Sequence, residues 1–183
     1  NDKLAYNVIQ PRVDNFKEKV INGDAYTRSE YFAEIGTDIL LAKGINKAFT
    51  VTKGMVLAEK IAARTNFAQS FYERAGFNPA KALEHMEGID FTKSVKATTL
   101  KKGTVVQQWV GENGVGGYFT SLENGVAKNL GINYEGRTLR QFTLTEDIKV
   151  LESTASTYKG QAGGGVQYFN PEIKSKITEV KTP

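Results

Sequence analysis

The distribution of glycine is the feature that most constrains how this chain can fold. Five of its 18 glycines lie in the first 87 residues, and the other 13 lie from Gly88 onward. Glycine is costly inside helices and common at tight turns, so the two parts should differ in structure. The sequence predicts an α+β chain, with an N-terminal helical segment over residues 1–87 and a small strand-rich mixed-sheet domain with one or two short helices over residues 88–183.

Apolar residues recur at helical spacing in the first part of the chain. The pattern predicts helices over 14–22, after Ser29, and over 55–75. Gly76 is placed to end the long helix in a left-handed conformation. A short helix should follow, with Asn78 as its cap and a proline in its first turn. Gly54, inside the long apolar pattern, is expected to mark a break between helices.

Alternating apolar residues replace the helical pattern after Gly88. Strands are predicted over 104–110, 137–145, 148–151 and 166–169, with a helix over 121–130. The first of these strands should carry two different faces because successive side chains alternate. One face should present Val105, Gln107 and Trp109.

Composition excludes several kinds of chemistry. The chain has no cysteine and a single histidine, His85, so disulfides, thiolate metal clusters and multi-histidine metal sites are excluded. His85 itself is expected at the surface or a helix end. The net charge of +4 does not imply nucleic acid. Apolar runs such as 39–42 are far shorter than the roughly 20 residues of a membrane helix, and a start at Asn1 suggests a fragment of something longer.

Three glycine clusters in the second part are candidate ligand loops. They lie at 111–117, 129–136 and 161–169, and the last contains three consecutive glycines directly before a strand. Such a cluster indicates a tight turn or a close approach of the backbone to another body. That body is either a ligand such as a nucleotide phosphate or another segment of the chain. Neither the Walker A motif nor the Rossmann fingerprint is present.

Taken in order, the motifs of the second part are more specific than any one alone. LKKGTVVQQW, GGYFTSLENGVAKNLGI, RTLRQFTLTEDIKVLESTAS and GGGVQYFNPEIKSKITEV follow one another between residues 100 and 180. This succession resembles the TNT-type, or necrotizing-toxin, NAD(P)+ glycohydrolase domain at the C-terminal tip of contact-dependent or Rhs-type polymorphic toxins. The GGGVQY run at 163–168 is its most specific part.

The resemblance implies an antibacterial toxin that hydrolyses the nicotinamide–ribose bond of NAD+ or NADP+ and depletes the target cell of the dinucleotide. It implies no cofactor, since NAD+ or NADP+ is the substrate. A cognate immunity protein is the expected partner, no nucleic acid is expected, and a membrane would be met only transiently during delivery. The resemblance implies that the chain is a fragment of a secreted or cell-surface effector and acts in the cytoplasm of the target cell. Residues 1–87 are then expected to be a pre-toxin or delivery segment.

The same resemblance implies the site residues. Gln167 and Tyr118 correspond to catalytic positions of the family. Two arginines of the family are absent here, and their positions fall near Gln108 and Lys128. The sequence therefore does not determine which cation would hold the pyrophosphate. The expected substrate-binding residues are Gln108, Trp109, Gly117, Lys128, Arg137, Arg140, Gly164 and Gly165.

Several alternatives remain open from the sequence. An ADP-ribosyl cyclase or ADP-ribosyltransferase breaks the same bond and differs only in what captures the ribosyl cation. A ribonuclease toxin or a noncatalytic module is a more distant alternative. Glu146 or Glu152 could supply a carboxylate, although exposed glutamates of a hairpin are more common. An acidic surface is expected on the immunity protein, because it would replace an anionic ligand near Lys128, Arg137 or Arg140.

Overall fold

The computed structural model describes residues 47–157 and 160–180 of the chain. The predicted helices at 14–22 and after Ser29 lie outside the described residues. The described part combines helices with a seven-stranded sheet, so the α+β prediction is confirmed. The helices are α1 (Lys47–Arg74) and α2 (Pro79–Met86), and the strands are β1 (Lys96–Leu100), β2 (Val105–Val110), β3 (Tyr118–Ser121), β4 (Thr138–Leu144), β5 (Ile148–Thr154), β6 (Val166–Phe169) and β7 (Ile177–Glu179).

All strand pairs of the sheet are antiparallel. The order across the sheet is β1-β5-β6-β3-β2-β4-β7, so β1 and β7 form its two edges. The expectation of a mixed sheet was therefore wrong. Only the pairs β2–β3 and β5–β6 are also consecutive in the chain, whereas β1 pairs with β5, and β4 with β7, across long connections.

Side chains of the sheet are buried on both faces. One face contributes Val106, Phe119 and Val150 to an apolar core that also includes Ile173 from the segment after β6. The other face carries Phe169, which lies against aromatic side chains of the helices. Fully burying an apolar side chain of this size contributes about 1.5–3 kcal/mol, so both faces stabilise the fold.

The helix ends follow the predicted capping chemistry. Gly76 has φ of 92°, the left-handed conformation expected after the long helix. The Asn78 side chain accepts a hydrogen bond of 2.9 Å from the backbone N–H of Lys81, and Pro79 begins α2. The expected break at Gly54 was wrong, because this glycine lies inside α1.

The chain divides into two compact units after Ala63, and the second unit spans 64–183. The composition boundary after Glu87 therefore differs from the division of the structure. In the second unit, Tyr72 of α1 is fully buried and its ring centroid lies 4.9 Å from that of Phe169. Glycine content changes where helices give way to strands, but packing continues across that point.

Two local expectations were corrected. Residues 121–130 form two short 3-10 helices (Leu122–Asn124 and Ala127–Leu130) instead of one α-helix. Gly125 lies between them, close enough to β2 that a Cβ there would be 2.4 Å from Nε2 of Gln107. The strands β1, β3 and β7 were not predicted, because each is short and β3 directly follows glycines.

No helix of the described part has both the length and the apolar character required to cross a membrane.

The three consecutive glycines before β6 pack against the chain itself. A Cβ on Gly165 would lie 2.8 Å from the carbonyl oxygen of Asn129, and one on Gly163 would lie 2.4 Å from that of Ser156. The backbone N–H groups of the two glycines donate to the carbonyls of Asn129 (2.7 Å) and Lys128 (3.0 Å). The body that this loop approaches closely is therefore another segment of the chain.

We expect Gly163→Ala to lower the free energy of unfolding by about 2 kcal/mol or more, because φ of 69° and the contact with Ser156 both oppose a side chain. Gly164→Ala is the matched control. Gly164 also has positive φ, 90°, but open space around its Cβ position, so only the backbone strain of about 1–2 kcal/mol applies. Urea unfolding of both variants checks this, and equal losses would contradict it.

Candidate functional site

A cavity of about 440 Å³ opens beside strands β2, β3 and β6 and the end of α2. This volume is within the usual range for small-molecule sites. Gln107, Trp109 and Tyr118 line it, together with Gln167 of β6. The pairing of Gln107 with Thr120 and the alternation of side chains put Trp109 and Tyr118 on the same face as Gln107, as the sequence predicted for β2.

Gln167 is buried in the cavity wall and uses only half of its amide for structure. Its Nε2 donates to the carbonyl of Gly88 (2.9 Å) and to Oγ of Ser153 (3.2 Å). A carbonyl oxygen can only accept, which fixes the amide nitrogen on that side. The Oε1 atom has no hydrogen-bond partner among the described residues. The wall of the cavity therefore offers a buried acceptor in a fixed position.

Gln108 orders the loop that leads into β3. Its Oε1 accepts from the N–H of Gly116 (2.9 Å), and its Nε2 donates to the carbonyls of Gly116 (2.9 Å) and Tyr118. The side chain lines the cavity, but its amide is occupied by the protein's own backbone. Gln108 therefore holds the backbone of the GGYF motif in place.

Tyr118 belongs to a row of three polar aromatic side chains. Its hydroxyl lies 2.9 Å from the hydroxyl of Tyr72 and 2.9 Å from Nδ1 of His85. Its ring packs on Phe169, with centroids 4.8 Å apart. Because the hydroxyl is fully engaged and one side of the ring is covered, Tyr118 joins the cavity wall to both helices.

Burial shifts the pKa values of this row. Desolvation raises the pKa of Tyr72 to about 12 and raises that of Tyr118 still further, so both phenols are neutral at ordinary pH. Desolvation also lowers the pKa of His85 below its ordinary value of 6.5, an effect that Glu84 opposes and Lys81 reinforces. All three groups are therefore uncharged near pH 7.

The lowered pKa of His85 predicts a stability that depends on pH. Between the folded pKa and 6.5 the unfolded chain binds more protons than the folded chain, so the contribution is present above pH 6.5 and is lost as pH falls through the folded pKa. We expect the free-energy difference between the wild type and His85→Phe to shrink on acidification from pH 8 to 5. Urea titrations at each pH measure it, and a constant difference would exclude a lowered pKa.

The charges on the cavity wall are mixed. Arg137 is the one permanent cation among the described residues that line it, and its Nη1 lies 3.5 Å from the carbonyl of Trp109. Glu84 and Glu87, at the end of α2, contribute two carboxylates. Within the described residues, no group of three or more histidine, aspartate or glutamate side chains is arranged to hold a metal ion.

The structure does not bring all the predicted residues to the cavity. Gln167, Tyr118, Gln108, Trp109, Gly117 and Arg137 line it, whereas Lys128, Arg140, Gly164 and Gly165 do not. Arg140 pairs instead with Glu179 of β7. Glu146 forms an ion pair with Lys176 (2.6 Å). Glu152 accepts from Oγ1 of Thr98 (2.8 Å), and neither glutamate lines the cavity.

Sequence reasoning missed the part of the wall that comes from the helical segment. His85 is half-buried in the last turn of α2 rather than on an open surface, and its ring stacks on that of Tyr72 with centroids 5.2 Å apart. Phe71, Tyr72, Phe77 and His85 form a dense run of aromatic residues around the helix boundary. That run, together with the fact that His85 is the chain's single histidine, is the sequence feature that could have indicated this part of the cavity wall.

Comparison with known proteins identifies the family of the chain. Residues 42–163, more than half of the chain, match the family described as Bacterial toxin 46. The chain is a member of this family. The resemblance to a toxin family that the sequence motifs indicated is thereby confirmed.

Two matches to Tse6 extend this result. The chain is 29% identical, over an alignment of 126 positions, to the NAD(P)(+) glycohydrolase toxin Tse6 of Pseudomonas aeruginosa. That alignment covers 57% of this chain and 29% of the relative's length. The solved structure of Tse6 in complex with Tsi6 matches with a TM-score of 0.60 and 25% identity, over 67% of this chain and 98% of the other.

Proposed function

We propose that the chain is the toxin part of an antibacterial effector and hydrolyses the nicotinamide–ribose bond of NAD+ or NADP+. The buried, unpartnered Oε1 of Gln167 in the cavity wall is the observation that carries this proposal. Membership of the Bacterial toxin 46 family and similarity to a glycohydrolase toxin support it.

The proposed reaction needs little acid–base chemistry from the protein. The glycosidic bond breaks with both electrons passing to the nicotinamide nitrogen, so nicotinamide leaves as a neutral molecule. Water adds to C1 of the ribosyl cation and releases a proton, which gives ADP-ribose. Catalysis then depends on alignment of the dinucleotide and on dipoles that favour the transition state. The uncharged amides and aromatic rings of the cavity wall suit this requirement.

Particular side chains fit particular parts of the substrate. Oε1 of Gln167 can accept a hydrogen bond from the nicotinamide carboxamide or direct its partial negative charge at the ribosyl cation. Arg137, exposed at the cavity, is suited to the pyrophosphate because its guanidinium can pair with two oxygens. Trp109, whose indole N–H is held by the carbonyl of Gly125 (2.9 Å), presents a fixed ring for stacking.

Product analysis tests the proposal. Incubation of the purified chain with NAD+ should yield nicotinamide and free ADP-ribose in equal amounts, separated by chromatography. A cyclic product would identify a cyclase, and label transferred to a macromolecule would identify a transferase. Unchanged NAD+ and NADP+ after long incubation with the folded chain would overturn the proposed function.

The proposed partner is a cognate immunity protein that covers the cavity, as a toxin of this activity endangers its producer. The relative Tse6 is known in complex with Tsi6. Two exposed apolar residues neighbour Trp109 of the cavity wall: the ring centroid of Tyr134 lies 6.1 Å from that of Trp109, and Leu139 lies opposite Trp109 in the strand register. These support apolar contact at the rim. Lys128 and Arg140 do not line the cavity while two carboxylates do, so the electrostatic reason for an acidic partner surface is weakened.

The proposed site of action is the cytoplasm of a target cell, reached as part of a secreted or cell-surface effector. No cofactor is proposed, because the dinucleotide is the substrate. The chain corresponds to less than a third of the length of its curated relative. The delivery role expected for residues 1–87 is likewise part of this proposal.

A further inference from the structure

The hydrogen bonds between Tyr72, Tyr118 and His85 fix where their protons lie. The Tyr72 hydroxyl is fully buried, and its one partner among the described residues is the Tyr118 hydroxyl. A buried hydroxyl without an acceptor is unfavourable, so Tyr72 donates to Tyr118. The hydroxyl of Tyr118 is then free to donate its own hydrogen to its second partner, Nδ1 of His85.

This direction of donation determines the tautomer of His85. An Nδ1 atom that accepts a hydrogen bond carries no proton, so the neutral imidazole must carry its proton on Nε2. The ring is held in place by stacking on Tyr72 at an interplanar angle of 14° and by edge contact with Phe77, with centroids 4.6 Å apart. The Nε2–H group has no acceptor among the described residues, and His85 lines the cavity.

His85 and Gln167 line the same cavity. Gly88 connects them, because its carbonyl accepts from Nε2 of Gln167 (2.9 Å) and its N–H donates to the His85 carbonyl (3.3 Å). A primary carboxamide has one C=O acceptor and one NH₂ donor. A fixed donor and a fixed acceptor on one wall are the complement that such a group requires.

We propose that His85 and Gln167 together recognise the nicotinamide carboxamide, with Nε2–H of His85 donating to the carboxamide oxygen. Tyr118 and Tyr72 are positioning residues that hold this tautomer of His85. This inference rests on the proposed function and names a substrate contact within it. As the glycosidic bond breaks, the nicotinamide ring gains an electron pair and its carboxamide oxygen becomes a better acceptor. The hydrogen bond from His85 therefore strengthens towards the transition state, which raises the rate.

The charged and titratable groups around His85 are consistent with a neutral ring. Tyr72 from α1 and Tyr118 from β3 face it as neutral phenols. Glu84 and Lys81 of its own helix act on it in opposite directions, and Glu87 shares the cavity wall. Protonation of Nδ1 would turn it into a donor facing the Tyr118 hydroxyl, whose hydrogen would then lack its acceptor. Activity should therefore fall on acidification below pH 6.5.

Nitrogen-15 NMR of the full chain tests the tautomer without any reaction. Because His85 is the chain's single histidine, its two ring nitrogens give the only imidazole signals. At pH 7.5 they should show a proton on Nε2 and none on Nδ1, and Tyr118→Phe should produce a mixture of tautomers. Tyr168→Phe is the matched control, since Tyr168 packs on Phe119 and does not line the cavity. A proton on Nδ1 in the wild type would overturn the inference.

Addition of nicotinamide to the same sample tests the contact itself. The Nε2 signal should shift in a saturable manner, and nicotinic acid, which lacks the NH₂ group that Gln167 would bind, should bind more weakly. No shift at saturating nicotinamide, or equal binding of both compounds, would overturn the inference. If nicotinamide shifts the signal but NAD+ is not cleaved, the proposed hydrolysis fails while the carboxamide site stands.

Two amide substitutions separate the contact with substrate from the contact with Tyr118. His85→Gln places an amide nitrogen near the position of Nε2, whereas His85→Asn keeps an acceptor near Nδ1 but offers no group at Nε2. For NAD+ cleavage we expect H85N to lower kcat by about tenfold or more, and H85Q to lower it several-fold less. The activity of the wild type should fall as the pH is lowered below 6.5, and the activity of H85Q should not show this fall. Equal losses for the two variants would overturn the role of Nε2.

Discussion

Gln167→Ala is expected to lower the rate of NAD+ cleavage by at least about 100-fold, the usual effect of removing a polar group aimed at the transition state. The variant loses the Oε1 acceptor that faces the cavity without a protein partner. It also loses the hydrogen bonds that Nε2 donates to the Gly88 carbonyl and to Oγ of Ser153, but the Gly88 carbonyl keeps the Ser156 N–H (3.0 Å) as a donor, so the free energy of unfolding should fall by about 0.5–1.5 kcal/mol. Single-turnover measurement with NAD+, at a temperature where the variant is folded, gives the rate.

Asn170→Ala is the matched control for this prediction. Asn170 is equally buried at the other end of the same region, and its amide donates to the carbonyl of Lys149 (2.9 Å) and accepts from the N–H of Glu172 (2.8 Å). It does not line the cavity. The control should lose similar stability and keep its activity within a few-fold. Comparable activity in Q167A and N170A would remove Gln167 from the site.

A fragment that begins at Gly88 is expected to be unfolded and inactive, whereas a fragment of residues 47–183 should keep the fold. The shorter fragment lacks Tyr72, Leu83 and Met86, which are at most 3% exposed. Each contributes about 1.5–3 kcal/mol by burial, and a whole domain of this size is stable by only about 5–15 kcal/mol. Circular dichroism during heating and the dispersion of amide NMR signals measure folding in both.

This expectation differs from the division that the sequence suggests, in which residues 1–87 are a delivery segment and residues 88–183 form a separate domain. The Tyr118 hydroxyl bonds to Tyr72 and His85, both of which the shorter fragment lacks. A cooperative unfolding transition in the 88–183 fragment, together with cleavage of NAD+, would show that the helices are dispensable.

Local chemistry made much of the fold predictable. Burial in β6 and in the second half of β4 follows a period of two, and the cap of α2 follows from Asn78 and Pro79. The role of the helices could not be derived in the same way, because 33 residues separate His85 from Tyr118 and 46 separate Tyr72 from it. No periodic pattern encodes contacts over such distances along the chain.

The site was predictable where a side chain is fixed by its own strand. Gln167 on β6 and Trp109 on β2 line the cavity as the motif order indicated. Cations were less predictable, since their long side chains choose among several partners. Arg140 lies opposite Gln108 in the strand register, yet its guanidinium pairs with Glu179 on the neighbouring edge strand. Among the lysines and arginines of the described residues, only Arg137, just before β4, lines the cavity.

The two edges of the sheet bear on how the protein behaves at high concentration. β1 has five residues and β7 has three, and both edges carry charged side chains, among them Lys96 and Glu179. Short, charged edges are poor templates for the backbone of a second molecule, because burying their charges in a continued sheet is unfavourable. The edges of the described sheet therefore disfavour strand-to-strand growth between molecules at high concentration.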